Sequence, residues 1–352
     1  MQEKYILQYG SLAGWPYKIA EGLRDKSIVS QNVILYDRDV LDMARQLSYD
    51  RALCKFNDSM LIKAVSILKY MLEVPKKVDL IHYHSGTVFL RQFHHLFEGP
   101  YFKRKNIPML LSFGGSDVRI ISEARKNNPY FYLQNNSRHD DKVKRKLESM
   151  SKNIRFCATD PEMLGYGYIN DFFEKSYLFR QPVNLQEIEC VYPKLDQTVP
   201  VILHIPTNSE VKGTKYVQSV IDRLAGEGLK FEFKFIRNLT QKEMYLEITN
   251  SDIYIDELLL GCHGVTAVET MAAGKPTLTY IREDLVDSFP IDFPIVNVNP
   301  DTLYAKLKEL ILDSSLRHKI GVASRKYVEK YHDVNVVTQD LIEIYREIGY
   351  TK

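Results

Sequence analysis

The sequence predicts an α/β protein made of two doubly wound, Rossmann-like domains in succession. Three observations predict it: short apolar runs alternate with helical segments, a polar break with two prolines occurs at 191–200, and the same alternation then resumes. Such alternation is typical of a parallel sheet covered by helices on both faces. A chain of 352 residues is also too long for one ordinary core. We therefore place the domains at 1–195 and 196–335, with a helical segment at 336–352.

The first half opens with a strand, a glycine-containing turn and a helix. An apolar run at 5–10 is followed by 11–26, in which glycines precede residues with helical spacing. Further strands are predicted at 32–37, 78–86 and 107–117. In open parallel sheets the ligand-facing residues lie where the strands end, so we expect Gly10, His84 and the turn at 114–117 to face one crevice.

The second half repeats this pattern after the break. Its predicted order is a strand at 201–206, a helix at 212–228, a strand at 230–236, a helix at 240–251, a strand at 252–259, a helix at 267–274 and a strand at 276–281. From about residue 316 the chain is strongly helical. This order indicates a second domain of the same class as the first.

Composition and charge exclude disordered and membrane-embedded classes of protein. The chain is 45% hydrophobic and 26% charged, as is typical of globular proteins. Its 47 basic and 45 acidic residues give a formal net charge of +2, so no nucleic-acid partner is indicated. The basic run at 142–146 is typical of a solvated helix face.

The cysteines indicate a reducing compartment. They are far apart and show no C-x-x-C spacing, so neither a zinc site nor a disulfide framework is predicted: Cys54, Cys157, Cys190 and Cys262. No stretch has the roughly 20 apolar residues of a membrane-spanning helix, and the N-terminus lacks a basic start followed by a long apolar run. We expect a cytoplasmic protein that reaches the inner face of the membrane only as a peripheral visitor.

One short helix has the features of an anion site. A helix that starts near Thr266 leaves its first backbone N–H groups unpaired and presents the positive end of its dipole, which suits a diphosphate. Gly264, followed by Val265, lets an anion approach this backbone closely. Glu269, in the first turn of the predicted helix, either binds a polar ligand or only stabilises the helix dipole by about 0.3–1 kcal/mol.

Three segments carry a resemblance to a known family. They are IPTNSEVKGTKYV at 205–217, the segment at 252–281 that contains HGVTAVETMAAGKP, and SFGGSDVR at 112–119. Together they closely resemble the retaining nucleotide-sugar glycosyltransferases of the two-domain GT-B fold, in the large family 4 group. The resemblance implies two Rossmann-like domains that face a central cleft, the first on the acceptor side and the second binding the nucleotide sugar, with a last helix that returns to the first domain.

The resemblance also implies roles on the donor side. In the family the acid of the short helix binds the ribose hydroxyls, which implies that role for Glu269. Lys212 resembles the lysine that contacts the donor diphosphate and stabilises charge on the leaving phosphate; the alternative is a surface lysine in a loop. The other donor-binding candidates are Gly264, Val265, Thr266, Asn208, Gly10 and Gly14.

Three positions depart from the family pattern. Gly261 stands where the first glutamate of the motif falls, Thr207 stands where an arginine is usual, and Gly114 stands where a histidine is common. These replacements affect sugar recognition and leaving-group stabilisation. They mark either a subgroup of the family or a protein that has lost the chemistry.

A sub-branch of the family resembles this chain at the same places. Its pattern H-x-P-x-N-x-x-x-K-G-T matches His204, Pro206 and Asn208, and its D-Q-L-like segment falls on Asp256 and Glu257. Either acid could supply the missing carboxylate. The alternative is that both are strand-end acids exposed to water.

Polar residues of the first half complete the candidate set. Asp117 and Arg119 are candidates for acceptor or interdomain contacts, the alternative being a local turn and ion pair. His84 and His263 are candidates for acceptor or sugar contacts, and a satisfied core histidine is the alternative for His84. The turn that carries Gly10 is not G-x-G-x-x-G, so a nicotinamide-dependent dehydrogenase is poorly supported.

The leading prediction is a metal-independent glycosyltransferase. It would move a sugar, with retention, from a UDP- or GDP-type nucleotide sugar to a hydroxyl of a saccharide or glycoconjugate that can be lipid-linked, in bacterial surface polysaccharide or glycoprotein assembly. No separate cofactor is expected. The alternatives are a non-catalytic GT-B subunit that binds a partner transferase or a saccharide, which the three departures favour, and a GT-B enzyme of another chemistry, such as a nucleotide-sugar epimerase.

Overall fold

The chain forms two units, each organised by its own parallel sheet. A computed structural model describes residues 4–39, 45–90, 93–134 and 136–351. Unit 1 comprises Met1–Ser122, Asn136–Pro182 and Val334–Lys352, and unit 2 comprises Glu123–Asn135 and Val183–Asp333. The chain thus passes from one unit to the other at 122/123, 135/136, 182/183 and 333/334. The sequence-based division was set at 195/196 and 335/336.

Unit 1 contains the elements up to residue 182. In chain order they are β1 (Tyr5–Leu12), α1 (Trp15–Asp25), β2 (Ser30–Asp39), β3 (Arg51–Cys54), α2 (Met60–Lys77), β4 (Val78–His84), a π-helix (His94–Glu98), α3 (Gly99–Arg104), β5 (Met109–Ser112), α4 (Ile121–Lys126), α5 (Ser137–Ser151), β6 (Phe156–Thr159), α6 (Pro161–Gly165), a 3₁₀ helix (Tyr168–Asp171) and β7 (Lys175–Leu178). Helix α4 crosses the first boundary into unit 2.

The first sheet has the order β3-β2-β1-β4-β5-β6-β7, and every pairing is parallel. In the interior strand β1, Ile6, Leu7 and Tyr9 are fully buried. Apolar residues on successive positions are typical of a parallel strand with helices on both faces. This sheet confirms the predicted fold class for the first half of the chain.

Unit 2 contains most of the remaining elements. They are β8 (Val201–His204), α7 (Ser209–Lys212), α8 (Thr214–Gly226), β9 (Glu232–Phe235), α9 (Gln241–Thr249), β10 (Ile253–Ile255), α10 (Val265–Ala272), β11 (Thr277–Thr279), α11 (Glu283–Val286), β12 (Val296–Asn297), α12 (Leu303–Leu312) and α13 (Ser314–Tyr331). The last helix, α14 (Val334–Glu347), belongs to unit 1.

The second sheet has the order β12-β11-β10-β8-β9 and is also parallel throughout. Strands β8 and β10 are neighbours, with Ile202 opposite Ile253 and Leu203 opposite Tyr254. Their carboxyl ends therefore lie side by side. Because ligands of such sheets bind where the strands end, we expect a binding site at the loops after β8 and β10.

Helix α14 completes the core of unit 1. It packs on α1, and its Tyr345 is fully buried. Gln8 Nε2 donates to Tyr345 Oη at 3.1 Å, and Tyr345 Oη lies 2.7 Å from His82 Nδ1. His82 Nε2 in turn lies 2.6 Å from Ser112 Oγ. This polar network joins β1, β4, β5 and α14 inside an apolar core, where unpaired polar groups are costly.

The basic run of α5 lies on a solvated helix face, as predicted. Lys142, Lys144 and Arg145 are exposed or close to solvent, whereas Val143 and Leu147 are buried on the opposite side. Across the described ranges, none of the helices combines the length and the apolar character needed to cross a membrane.

Candidate functional site

The loop after β8 presents Lys212 at the end of a single helical turn. Asn208 caps α7, because its side-chain oxygen accepts from Glu210 N at 2.9 Å. Gly213 follows with φ +71°, and a Cβ at this position would lie 3.1 Å from Leu258 Cβ. Only glycine accommodates that backbone without strain. The turn therefore fixes Lys212, which is 7% exposed and not the surface lysine of the alternative interpretation.

Two acids at the end of β10 face this lysine. Asp256 and Glu257 follow the last strand residue, Ile255, and both are buried rather than exposed to water. Lys212 Nζ donates to Asp256 Oδ1 at 2.5 Å and lies 3.6 Å from Glu257 Oε2. Asp256 Oδ2 is buried and accepts no hydrogen bond from the described residues.

The charge state of Lys212 follows from these neighbours. Burial by itself favours the neutral amine, but the carboxylates of Asp256 and Glu257 outweigh it and raise the pKa of Lys212 to about 12. Lys212 is therefore an ammonium at neutral pH. The three side chains together carry one net negative charge, within a region that contains little solvent.

Gly264 brings the start of α10 to the same cluster. It is the residue before α10, and no side chain caps the first turn of that helix. A Cβ at Gly264 would lie 3.2 Å from Glu257 Oε1 and 3.9 Å from Lys212 Nζ. The uncapped N–H groups of Val265 and Thr266, with the positive end of the helix dipole, thus lie beside the Lys212 ammonium.

Glu269 occupies the second turn of α10, which corrects the sequence-based placement in the first turn. The helix begins at Val265, and its first turn holds no acid. Glu269 is 4% exposed, and Tyr245 Oη of α9 donates to Glu269 Oε1 at 2.8 Å. Burial and the Glu269 carboxylate raise the pKa of Tyr245 well above its usual value, so Tyr245 stays a donor. A simple dipole-stabilising role for Glu269 does not fit this placement.

The Gly274-Lys275-Pro276 end of the helix is structural. Gly274 has φ +75° and packs against Tyr192, and a Cβ on Gly321 of α13 would lie 2.3 Å from the Gly274 carbonyl oxygen. Lys275 Nζ donates to the Thr249 carbonyl at 2.8 Å. Burial lowers the pKa of Lys275 to about 8. These residues let α10 pack closely on α13.

Gly261 shows why the family glutamate has no place here. It has φ +88°, and a Cβ at this position would lie 2.2 Å from Arg282 Cγ. Arg282 is fully buried and donates to both carboxylate oxygens of Asp284 at 2.9 Å. Asn128 Nδ2 donates to the Leu259 and Leu260 carbonyls and holds the same loop. Thr207, the other departure in this unit, is exposed.

His204, the last residue of β8, contacts the end of β10 and the start of α8. Its Nδ1 lies 2.8 Å from the Ile255 carbonyl, which can only accept, so Nδ1 carries the proton. Its Nε2, 2.9 Å from Thr214 Oγ1, accepts from that hydroxyl. Burial lowers the pKa of His204 to about 4, and the ring is neutral at pH 7. His204 thereby ties the ends of β8 and β10 to the start of α8.

His263 packs among aromatic rings beside Gly264. Its ring centroid lies 5.5 Å from that of Phe289 and 5.8 Å from that of Phe293, and these two phenyl rings are stacked at 4.2 Å. Phe289 and Phe293 also line a cavity of about 350 Å³ with Ile281, Val286, Asp287, Pro290, Ile291, Ile295 and Asn297. His263 thus contacts two of the rings that line this cavity.

The structure places Gly10 and His84 together at the sheet end of unit 1. A Cβ at Gly10 would lie 3.0 Å from His84 Cβ, so a larger residue would require His84 to shift. His84 is fully buried, with Nε2 2.8 Å from Gln8 Oε1 and its ring edge-on to Trp15 at 4.4 Å. Burial lowers its pKa well below the usual value, so the ring is neutral. Gly14 has φ +82° and precedes α1.

The GGSD turn is held by its own side chains. Asp117 Oδ1 accepts from Gly114 N at 3.0 Å, and burial raises the pKa of Asp117. Arg119 does not pair with Asp117. Instead it donates to both carboxylate oxygens of Glu162, at 2.7 and 2.6 Å. Asp117 thus forms the local turn with Gly114, whereas Arg119 forms an ion pair with Glu162.

Three partner residues, two in unit 2 and one in unit 1, were not found from the sequence. Arg282 lies against Gly261, Tyr245 donates to Glu269, and Glu162 accepts from Arg119. An arginine shortly after a strand and an isolated tyrosine on a helix carry no motif. Only the fold brings them to Gly261, Glu269 and Arg119.

Solved structures share this fold, although comparisons with protein-family models and with curated proteins give no match. Sucrose-phosphate synthase from Thermosynechococcus elongatus is 12% identical, with a TM-score of 0.62, and the match covers 98% of this chain and 99% of that one. HepE from Anabaena, in complex with UDP and glucose, is 12% identical, with a TM-score of 0.65, and covers 98% and 100%. A glycosyltransferase from Rickettsia africae is 16% identical, with a TM-score of 0.64, and covers 100% of both chains.

These likenesses establish the architecture. Identities of 12–16% over nearly the whole length show a shared fold and leave the reaction to be argued from the site. The chain has the two-sheet GT-B fold of these glycosyltransferases, as its sequence predicted.

Proposed function

We propose that this chain is a glycosyltransferase of the retaining, family 4 type. It moves a sugar from a nucleotide-diphosphate sugar to a hydroxyl of a saccharide or glycoconjugate. One observation carries this proposal: the buried Lys212 ammonium lies beside Gly264, at the uncapped start of α10. A cation and free helix N–H groups at one point form a site for a diphosphate.

The Lys212 ammonium can donate further hydrogen bonds to a phosphate. An ammonium carries three N–H groups, and Asp256 Oδ1 takes one of them. Glu257 Oε2 lies at 3.6 Å, beyond an ordinary hydrogen bond. Lys212 therefore remains oriented by Asp256 while it donates to the leaving diphosphate. Charge that develops on that group in the transition state is stabilised by a donor already in place.

The two acids then serve the sugar. Because Asp256 Oδ2 is buried and accepts no hydrogen bond from the described residues, a sugar hydroxyl is a suitable partner for it. Glu257 Oε1 lies next to Gly264, at the start of α10. In this arrangement the pair replaces the carboxylate that the family has at the position of Gly261.

Glu269 binds the nucleoside part of the donor. Its carboxylate is fixed by the Tyr245 hydroxyl and accepts from the ribose hydroxyls. HepE was solved in complexes with UDP and with UDP-glucose, and this supports a UDP-type donor. Asn208, as the cap of α7, keeps the Lys212 turn in position.

The reaction proceeds by positioning and charge stabilisation. Retaining hydrolases place two carboxyl groups about 5–5.5 Å apart, one of them as nucleophile, whereas Asp256 and Glu257 both face Lys212. We therefore assign departure of the diphosphate and attack of the acceptor hydroxyl to the same face of the sugar, with the donor phosphate taking the proton. Neither a metal nor a cofactor is invoked, and the protein works in the cytoplasm.

Calorimetric titration with UDP, GDP and ADP tests the donor site. Wild type should bind one of the three, Lys212→Gln and Glu269→Gln should bind it at least tenfold more weakly, and Lys215→Gln on the exposed side of α8 should bind normally. Absence of binding to all three by folded wild type would refute the proposal. Turnover of the matching nucleotide sugar, with the anomeric configuration of the product read by NMR, then tests transfer and retention.

A non-catalytic GT-B subunit is the second candidate. The Gly261 position favours it, because Arg282 fills the space of the family carboxylate. Such a subunit would bind a saccharide or a partner transferase and would leave nucleotide sugars unchanged. The titration separates the two candidates, since the subunit has no need of the Lys212 site.

A further inference from the structure

Helix α2 in unit 1 has two apolar faces. One face enters the core through Tyr70, Met71 and Val74, which are 3%, 5% and 1% exposed. The other consists of Leu61, Val65, Leu68 and Leu72, which are 74%, 57%, 47% and 50% exposed. We call these four residues the α2 stripe. A helix that packs on a sheet needs only one apolar face, so the α2 stripe requires a different explanation.

The spacing of the α2 stripe makes it continuous. Its residues are separated by four, three and four positions, which places them in one row along the helix. Successive turns therefore present one aliphatic side chain each, over most of the helix length. Single exposed leucines are ordinary on protein surfaces, whereas a contiguous row marks an interaction surface.

Basic residues flank the α2 stripe. Lys69 and Lys76 are exposed, and at 100° per residue both lie on the edge of the row. Helix α2 carries four lysines and a single acid, Glu73, which is paired with Lys77 at 2.7 Å. Beyond the helix, Tyr101 Oη of α3 contacts the Leu72 carbonyl, and α3 ends in the exposed basic run 103–105.

A second apolar group precedes α3. In the π-helix and the residue before it, Phe93, Leu96 and Phe97 are 52%, 57% and 60% exposed. Large apolar side chains next to lysine and arginine are the composition of surfaces that lie in a membrane interface.

We propose that the α2 stripe docks unit 1 onto an anionic phospholipid bilayer. The aliphatic row inserts at the level of the acyl chains, while Lys69, Lys76 and the run at 103–105 contact the headgroups. Charge decides between a bilayer and a second copy of the chain. A symmetric dimer through this face would bring two copies of the same basic edge into one interface, whereas an anionic surface neutralises the lysines.

Vesicle sedimentation tests this surface. Wild type should sediment with vesicles of phosphatidylcholine and phosphatidylglycerol in equal amounts, and far less with phosphatidylcholine alone. Val65→Glu/Leu68→Glu and Lys69→Glu/Lys76→Glu should each bind at least tenfold more weakly, since each lysine near an anionic surface contributes about fivefold. Added salt should weaken wild-type binding.

Matched variants on unit 2 control for charge and hydrophobicity. Leu246→Glu/Leu312→Glu removes two aliphatic side chains that are 60% and 68% exposed, and Lys215→Glu/Lys319→Glu reverses two exposed lysines. Both should bind as wild type does. All variants are first checked by circular dichroism and urea unfolding; because the α2 stripe is exposed, they should remain folded.

Three results would overturn this assignment. The first is a wild type that does not bind the anionic vesicles, and the second is stripe variants that bind them as wild type does. The third is a wild-type dimer that the stripe variants convert to a monomer without any vesicle binding, which would assign the stripe to self-association. Vesicle binding needs no nucleotide sugar, so the outcome is independent of the transfer reaction.

Discussion

Lys212 Nζ, at the end of α7, and Asp256 Oδ1, just after β10, lie 2.5 Å apart in the interior of the second unit. The pair is separated by 44 positions in the chain and is withdrawn from solvent on both sides. A buried ion pair of this kind makes a small net contribution to folding when it is intact. It is expensive to break, because the remaining charge is left in a region of low dielectric.

Replacing Lys212 should therefore reduce stability as well as donor binding. Lys212→Met leaves Asp256 and Glu257 without their cation, and the free energy of unfolding should fall by about 3–5 kcal/mol. Urea unfolding measures it. Lys215→Met, on the exposed side of the next helix, should change it by less than about 0.5 kcal/mol. Equal effects of the two variants would contradict the buried pair.

Restoring the family glutamate at Gly261 should damage the protein. Gly261→Glu places a side chain on a backbone with φ +88° and into Arg282, and the left-handed backbone alone costs about 1–2 kcal/mol. Thermal unfolding should show a clear loss, with no gain in transfer rate. Gly226→Glu is the matched control, because a Cβ there meets nothing within 4 Å. A stable and faster Gly261→Glu would show that this loop can be rebuilt.

Tyr245 should act on the donor through Glu269. Tyr245→Phe removes one hydrogen bond to a buried carboxylate, which lowers the free energy of unfolding by about 1.5–3 kcal/mol. The KM for the nucleotide sugar should rise more than kcat falls, since Glu269 is placed at the ribose and not at the reacting bond. Tyr304→Phe removes a hydroxyl that donates to the exposed Glu227 at 2.7 Å and should leave stability and kinetics nearly unchanged. An unchanged KM in Tyr245→Phe would separate Glu269 from the donor.

Stability should fall as the pH falls from about 6.5 to 4. A histidine in the unfolded chain has a pKa near 6.5, whereas burial lowers the pKa of folded His204 to about 4. Within that window the unfolded chain binds a proton that the folded chain does not, so stability is complete above it. The loss assigned to His204 is about 3 kcal/mol. His204→Asn should reduce the slope of the pH profile of urea unfolding and leave the part that the buried His82 and His84 contribute. His318→Asn, at a partly exposed position, should keep the full slope.

The sequence predicted the two parallel sheets because their signal is local. Apolar runs such as 5–10 and 201–206 end in turns, and each became a strand near its predicted position. The strands at 51–54, 156–159 and 175–178 were not predicted. They have only four residues each and lie at or near the sheet edges, where tertiary pairing rather than periodicity decides the conformation.

The individual residues of the candidate site could be predicted from the sequence, but the contacts between them could not. Lys212, Gly264 and Glu269 carry motif signals, but the burial of Asp256 and Glu257 depends on β10 lying next to β8, which no local pattern encodes. The same holds for Gly261. In a sequence, a glycine indicates only that the backbone has conformational freedom. The structure shows that Arg282 leaves no room for a side chain at this position.

The division of the chain between the two units sets an order of events during synthesis. Unit 1 takes its last helix from Val334–Glu347, and Tyr345 of that helix bonds to Gln8 on the first strand. The first unit therefore cannot complete its core until Val334–Glu347 has left the ribosome. Unit 2, whose main segment ends at Asp333, has all of its residues available earlier. The domain encoded first is thus the one that finishes folding last.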